Sequence, residues 1–296
     1  MDLSIIVLNW NTVDETRDCL KSISDFPPDC DYEVMLADNA SEDGSREMVR
    51  TEFPDVTLVA HPINLGFCAG NNRAIPFTSG RYVFFLNSDT VMTPGALANL
   101  VRFADDHPEA GIIGPKLLNL DGSLQYSCRR YPDLGAGFFR NTPLGRLFPG
   151  NRYTKDYLMS DWDHATVKNV DWVSGAALLI TREMLTTTGG FDEGFYMYCE
   201  DVDLCFRVHE LGKDVLYLPD SVIYHIIGRS STKVPTRMTY YFHRSMYRFY
   251  RKHYVTKTSI FIRPLIIPGL IARASGQILK YKWRNLTGKH TRGVKK

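Results

Sequence analysis

The sequence of 296 residues has no aspartate or glutamate beyond Asp220. All 33 acids fall in residues 1–220 beside 18 lysines and arginines, a net charge of −15, whereas residues 221–296 carry 17 bases and sum to +17. The overall charge of +2 therefore hides an acidic body and a basic tail, which implies two different jobs. Paired cysteine spacing is also missing: Cys19, Cys30, Cys68, Cys128, Cys199 and Cys205 form no CxxC. That argues against zinc-ligand spacings and a disulfide framework, and leaves reduced thiols in a cytoplasm as the expectation. No apolar stretch approaches the roughly 18 residues of a transmembrane helix. The longest candidate, residues 260–272, is interrupted by Arg263, Pro264 and Pro268. The N-terminus has an early acid, Asp2, and no basic region, so it reads as a first strand and not as a signal peptide. With no GxGxxG after that strand and no GxxxxGK[ST], a dinucleotide fingerprint and a P-loop are disfavoured.

What is present is globular. Hydrophobic residues make up 44%, charged residues 23% and aromatics 12%, enough for a buried core of ordinary size. β-rich apolar runs predict strands at 4–8, 32–37, 56–60 and 82–86, with helices at 13–24, 43–52, 69–77 and 94–106. Ser41 is the expected N-cap of the second helix and Thr93 of the fourth, which has Pro94 at its first position. Near-continuous apolar strands separated by helices imply an α/β fold whose mostly parallel central sheet has helices on both faces. Residues 134–164 are rich in Gly, Pro, Asn and aromatics and read as a long loop or lid. A strand at 170–180, a helix at 200–211 and short strands at 214–218 and 222–225 follow. From residue 236 basic and aromatic residues recur at helical spacing, so the boundary falls at 235: a body of residues 1–235 and a helical tail of residues 236–296.

In open α/β sheets ligands bind beyond the carboxyl ends of the strands. Four polar clusters fall there: Asn9-Trp10-Asn11, Asp38-Asn39-Ala40-Ser41, residues 64–72, and Asn87-Ser88-Asp89. Any one of them alone reads as a cap or an Asx turn. Four in succession on one edge mark a site. Asp38 at a strand end suits a pyrimidine N3–H, and Gly66 and Gly70 allow close backbone approach to a ribose or phosphate. Asp89 is a candidate ligand for a hard divalent cation beside a diphosphate.

A second cluster, residues 189–204, leads from glycines and aromatics into Glu200, Asp201 and Asp203 at a helix start. Acids in a first turn suit the helix dipole, and Asp203 is the expected structural one. A general base in a partly apolar setting is the functional alternative. His225 ends a strand before the basic stretch Gly228-Arg229-Ser230-Ser231 and suits a metal or a phosphate.

Taken in order, these residues resemble family-2 glycosyltransferases with a GT-A fold, most nearly the bacterial rhamnosyltransferases of cell-wall and O-antigen assembly. The matching stretches are 4–11, 38–41, 64–72, 87–89, 171–176, 190–207 and 224–231, so the resemblance covers residues 3–235. It implies an inverting transferase that moves a sugar, with rhamnose foremost, from a nucleotide-diphosphate donor, dTDP- or UDP-linked, to a glycan or lipid-linked acceptor with Mg²⁺ or Mn²⁺. Carried over by position, Asp38 would hold the nucleobase, with Asn9, Asn11, Asn39, Ser41, Gly66, Asn71, Asn87 and Ser88 around the nucleotide sugar. Asp89 would be the last acid of a DxD metal motif whose first place here is Asn87, and His225 would complete the metal's protein ligands. Asp201 would be the catalytic base with Glu200 beside it, and Trp172 and Gly175 would line the acceptor side.

Two other readings compete. A nucleotidyltransferase would need a glycine-rich basic loop where Asn9-Trp10-Asn11 stands, and a non-catalytic nucleotide-sugar-binding protein would have no use for Asp89, Glu200, Asp201 and His225. The basic tail also fits a nucleic-acid arm, but the apolar cluster at 265–271 has no use there. An anionic membrane surface, with the protein peripheral on the inner face of the cell membrane, suits the tail better.

Overall fold

Leu3, Ile5, Ile6 and Val7 have no exposed surface, as a strand covered on both faces requires. They form β1 (Leu3–Asn9) in a computed structural model that describes residues 1–133, 139, 143–226 and 235–286. The crossovers α1 (Val13–Asp25), α2 (Ser45–Glu52) and α3 (Gly66–Asn72) join β1 to β2 (Tyr32–Asp38), β3 (Thr57–Ala60) and β4 (Tyr82–Asn87). The chain continues through β5 (Thr90–Met92), α4 (Ala96–Asp106), β6 (Ala110–Leu118), β7 (Cys128–Arg129), α5 (Pro143–Leu147), α6 (Arg152–Leu158) and β8 (Lys168–Asn169). Then come β9 (Trp172–Val173), β10 (Ala177–Thr181), α7 (Arg182–Thr188), α8 (Glu200–Glu210) and β11 (Asp214–His225).

Among the described residues the main sheet has nine strands in the order β3-β2-β1-β4-β10-β6-β11-β5, with β8 paired to β11. β3, β2, β1, β4, β6 and β11 run one way, and β10, β5 and β8 run against them. The α/β sheet is mostly parallel, as expected. Leu20 and Ile23 of α1 and Leu97 and Leu100 of α4 share one buried cluster with Ile5, Val7, Phe84 and Leu86 of the sheet.

The structure corrects several local expectations. β6, a central strand, is absent from the sequence reading because Gly111, Gly114 and Pro115 break its apolar run; Val208 and Val173 occupy the space beside those glycines. Ser41 and Thr93 cap no helix. Gly44 and Gly95, both left-handed, precede α2 and α4, while Thr93 Oγ1 donates to Val222 O. The strand expected at 170–180 is two, β9 and β10, and the strands expected at 214–218 and 222–225 are one, with an irregularity between Leu218 and Val222. Of the expected lid, residues 134–138 and 140–142 lie outside the described residues, and the rest holds α5 and α6. The basic stretch 228–231 also lies outside them.

The chain divides into two compact units, residues 1–193 with 200–230, and residues 194–199 with 231–296. In the second unit α9 (Pro235–Phe249), a π-helical turn (Tyr250–Tyr254) and α10 (Arg263–Leu286) follow one another. Tyr196 stacks on Tyr241 at 4.3 Å, and Ser245 Oγ donates to Met197 O at 2.8 Å.

Candidate active site

β1 and β2 end level with one another, Asn9 opposite Asp38, and the strand order reverses on the other side of β1, between β1 and β4. Asn9 is fully buried and uses its whole amide: Nδ2 donates to Asp38 Oδ2 (3.0 Å) and Ser41 Oγ (3.1 Å), and Oδ1 accepts from Thr12 and Thr16. Asn11, at φ 54°, donates its backbone N–H to Ser41 Oγ and accepts from Glu42 N–H. Asp38 lies at the centre of this edge. Its carboxylate has no exposed surface and accepts from Arg46 Nε (2.5 Å), Ser41 N–H (3.0 Å) and Asn9, so it anchors this edge from within. Arg46, which closes this network, is a residue the sequence did not single out.

The loop after β3 is shaped by glycine. Gly66 starts α3 at φ 82°, and its carbonyl accepts from Asn39 Nδ2 at 2.9 Å. A Cβ on Gly70 would lie 2.8 Å from Leu8 Cδ1 and 2.9 Å from the Asn39 amide, so a side chain here would displace both. Asn39 Oδ1 and Asn71 Oδ1 are buried with no hydrogen-bond partner, two acceptors left over beside that close approach.

At the end of β4, Ser88 Oγ lies 2.9 Å from Thr12 Oγ1, which ties this strand end to Asn9. The Asn87 amide makes no hydrogen bond among the described residues, whereas its backbone N–H donates to Ala176 O. β5 and β11 are antiparallel with His225 opposite Thr90, and Ile226 N–H donates to Asp89 O. This pairing places His225 Nε2 3.4 Å from Asp89 Oδ1, both side chains about nine-tenths buried. The other ring nitrogen, Nδ1, lies 2.9 Å from Gln125 Oε1. A carboxylate oxygen and an imidazole nitrogen this close together could both serve as ligands of a divalent cation. Among the described residues no cluster of three or more His, Cys, Asp or Glu side chains suited to a metal occurs, in keeping with Asn87 at the first place of the motif.

The acids of α8 separate cleanly. Asp203 is fully buried and paired with Arg207 Nε at 2.8 Å, and the same guanidinium donates to Thr188 O and Gly190 O. It is structural, as expected. Asp201 Oδ2 accepts from Gly175 N–H (3.1 Å) and Oδ1 from Val202 N–H (2.8 Å). Burial raises the Asp201 carboxyl above its ordinary value, opposed by those two N–H groups and by the positive charge of Arg129. Glu200 Oε2 is buried without a partner, and burial followed by the charge of Asp201 holds Glu200 well above the usual carboxylate range. Of the two carboxyls Asp201, held by the Gly175 and Val202 N–H groups, is the better placed to carry a negative charge, and that charge disfavours a second one on Glu200. Tyr198 (φ 72°) and Cys199 (φ 63°), both left-handed without being glycine, precede Glu200, a backbone strain of the kind found at functional sites.

Trp172 is buried, with its indole N–H donating to Arg130 O at 2.9 Å, so what it offers is the ring face beneath Arg129, 5.0 Å away. The structure thus joins Asn9, Asn11, Asp38, Asn39, Ser41 and Gly66 in one network, pairs Asp89 with His225, and joins Asp201 to Gly175. Sequence reasoning missed Arg46, Gln125 and Arg129. The adjacent Arg129-Arg130 was a signal for a charged site; Gln125 gave none.

Residues 4–156 match the glycosyl transferase family 2 model, and residues 82–266 match that of glycosyl transferase family group 2. The chain is 32% identical over 228 residues to the N-acetylglucosaminyl-diphospho-decaprenol L-rhamnosyltransferase of Mycobacterium tuberculosis, covering 73% of each protein. It is 26% identical over 223 residues to the rhamnosyltransferase WbbL of Escherichia coli K12, covering 73% of this chain and 80% of that one. In fold it is similar to the mannosyltransferase PcManGT of Pyrobaculum calidifontis, solved with GDP-Man and Mn²⁺: TM-score 0.58, 19% identity, 93% of this chain and 73% of that one. TarS 1-349 of S. aureus with UDP gives a TM-score of 0.55 at 18% identity, over 83% of this chain and 64% of that one.

Proposed function

Because the chain belongs to glycosyl transferase family 2, we propose that it is an inverting, metal-dependent enzyme that moves a sugar, rhamnose foremost, from a dTDP- or UDP-linked donor to a hydroxyl of a lipid-linked glycan. The observation that carries this reading is Asp201: one carboxylate held by Gly175 and Val202, made more basic by burial, beside a Glu200 whose carboxyl burial pushes up further. Asp201 takes the proton of the acceptor hydroxyl. The oxygen's electron pair forms the new bond to the anomeric carbon as the bond to the donor's diphosphate oxygen breaks, and the nucleoside diphosphate leaves with that pair. Attack opposite the leaving group inverts the anomeric centre, and the proton passes from Asp201 to solvent. Asp89 and His225 would hold Mg²⁺ or Mn²⁺, which when bound supplies positive charge against the diphosphate.

The acceptor side is built around Gly175, Asp201 and Arg129 over Trp172, and the donor side around Asp38, Asn39, Gly66 and Asn71. Support for a lipid-linked acceptor comes from the mycobacterial relative, whose name gives a diphospho-decaprenol. The tail supports attachment to an anionic membrane surface on its inner face: Phe261, Leu265, Ile271, Leu279 and Trp283 are exposed on a stretch without acids. No helix among the described residues is long and apolar enough to cross a membrane.

Incubation with dTDP-rhamnose, UDP-sugars, Mn²⁺ and a polyprenyl-diphospho-sugar acceptor tests the reading. Extension of the lipid by one sugar with inverted anomeric configuration is the expected result. Pyrophosphate release from a nucleoside triphosphate and a sugar phosphate, or binding without turnover, would favour one of the competing readings instead.

A further inference from the structure

Gln125 follows the turn after β6 and is buried. Its Nε2 faces three oxygens: His225 O at 2.6 Å, Asn119 Oδ1 at 2.8 Å and Leu118 O at 3.4 Å. Reversing the amide would set its carbonyl oxygen against all three, so the orientation is fixed by chemistry. Oε1 is then the atom 2.9 Å from His225 Nδ1, and a carbonyl oxygen can only accept. Nδ1 carries the proton, and in the neutral ring Nε2 keeps its lone pair, aimed at Asp89 Oδ1.

The order extends further. Asn119 Nδ2 donates to Ser123 Oγ at 2.8 Å, and Ser123 Oγ donates to Asp121 Oδ1 at 2.6 Å. Asp121 is exposed, and the Ser123 hydroxyl lowers its pKa from the ordinary value, so it stays an acceptor. Every hydrogen bond from His225 through Gln125, Asn119 and Ser123 to Asp121 therefore points the same way. The turn is held by Asn119 N–H to Ser123 O and by Gln125 N–H to Leu117 O.

We infer that Gln125, oriented by the backbone carbonyls of His225 and Leu118 and by the Asn119 side chain, is a positioning residue that locks His225 in the Nδ1–H tautomer, with the Nε2 lone pair presented beside Asp89. Without the lock the ring can place its proton on Nε2 and donate to Asp89, an arrangement that closes the pair to a cation. Such partners of metal-ligating histidines change metal affinity by about 10- to 100-fold. The inference rests on the metal reading for its purpose, but not for its test.

The decisive measurement is the ¹⁵N NMR spectrum of His225 in metal-free, full-length protein in alkaline buffer, assigned with His225→Gln, alongside a Mn²⁺ titration. The wild type is expected to show protonated Nδ1 and bare Nε2. Gln125→Met, similar in shape but unable to accept, is expected to move the proton toward Nε2 and to weaken Mn²⁺ binding about tenfold or more. Ser123→Ala, on the exposed turn, leaves His225 O and Leu118 O facing Gln125 Nε2 and should keep the wild-type tautomer; if Gln125→Met does not fold, the wild-type spectrum decides. Protonated Nε2 in the wild type, or an unchanged tautomer in folded Gln125→Met, overturns the inference. A wild type with the expected tautomer that binds no Mn²⁺ supports the lock and overturns the metal reading alone.

Discussion

The backbone N–H of Gly175 donates to Asp201 Oδ2 across 3.1 Å, joining the turn between β9 and β10 to the first turn of α8. The next residue in that turn, Ala176, accepts from Asn87 N–H at the end of β4. One turn therefore sets both the acid of α8 and the strand end that leads to Asp89. The account makes specific predictions from this arrangement.

Glu200 has a folded pKa well above its usual value, because it is buried next to Asp201. Such a group contributes stability below its unfolded pKa of about 4.3, and that contribution is lost as pH rises through the folded value. Glu200→Gln cannot ionise. Its melting temperature relative to wild type should be higher at about pH 8 than at about pH 4. An equal difference at both pH values would show that Glu200 is not held neutral.

Asp203→Ala removes the partner of the Arg207 guanidinium, whose other N–H groups hold Thr188 O and Gly190 O. Breaking a buried pair from one side costs about 3–5 kcal/mol. Urea denaturation should show a loss of that order, with donor affinity retained in the folded fraction.

Asp89→Ala should abolish Mn²⁺-stimulated donor binding, read by calorimetry with and without metal, and EDTA should stop turnover in the wild type. Full activity of the wild type in EDTA would remove the metal from the account.

Replacing Phe261, Leu265 and Ile271 together by serine alters exposed side chains only, so folding should be unaffected. Basic residues near an anionic leaflet contribute about 1 kcal/mol each, screened by salt. Flotation with anionic liposomes should recover wild type and lose the triple variant, and high salt should weaken wild-type recovery. Equal recovery of the two proteins would remove these side chains as anchors.

Much of this was legible along the chain, for physical reasons. β1, β4 and the second half of β2 are buried on both faces and so read as apolar runs, with Asn9, Asp38 and Asp89 at or just past their ends. β6 was illegible because its glycines make room for Val208 and Val173, contacts that no local pattern records. Ser41 and Thr93 carry local capping chemistry but spend it on distant partners, Asn9 with Asn11 and Val222. Gln125 acts on a histidine 100 residues away, and nothing in its neighbours along the chain foretells that.

The central claim is that Asp201 is the base of a glycosyl transfer. Its most direct test is the turnover of Asp201→Asn measured beside its donor Kd. The account predicts a fall in kcat on the order of a hundredfold or more, with donor affinity within about twofold of wild type. Near-normal turnover in that variant, with the donor still bound, would contradict it.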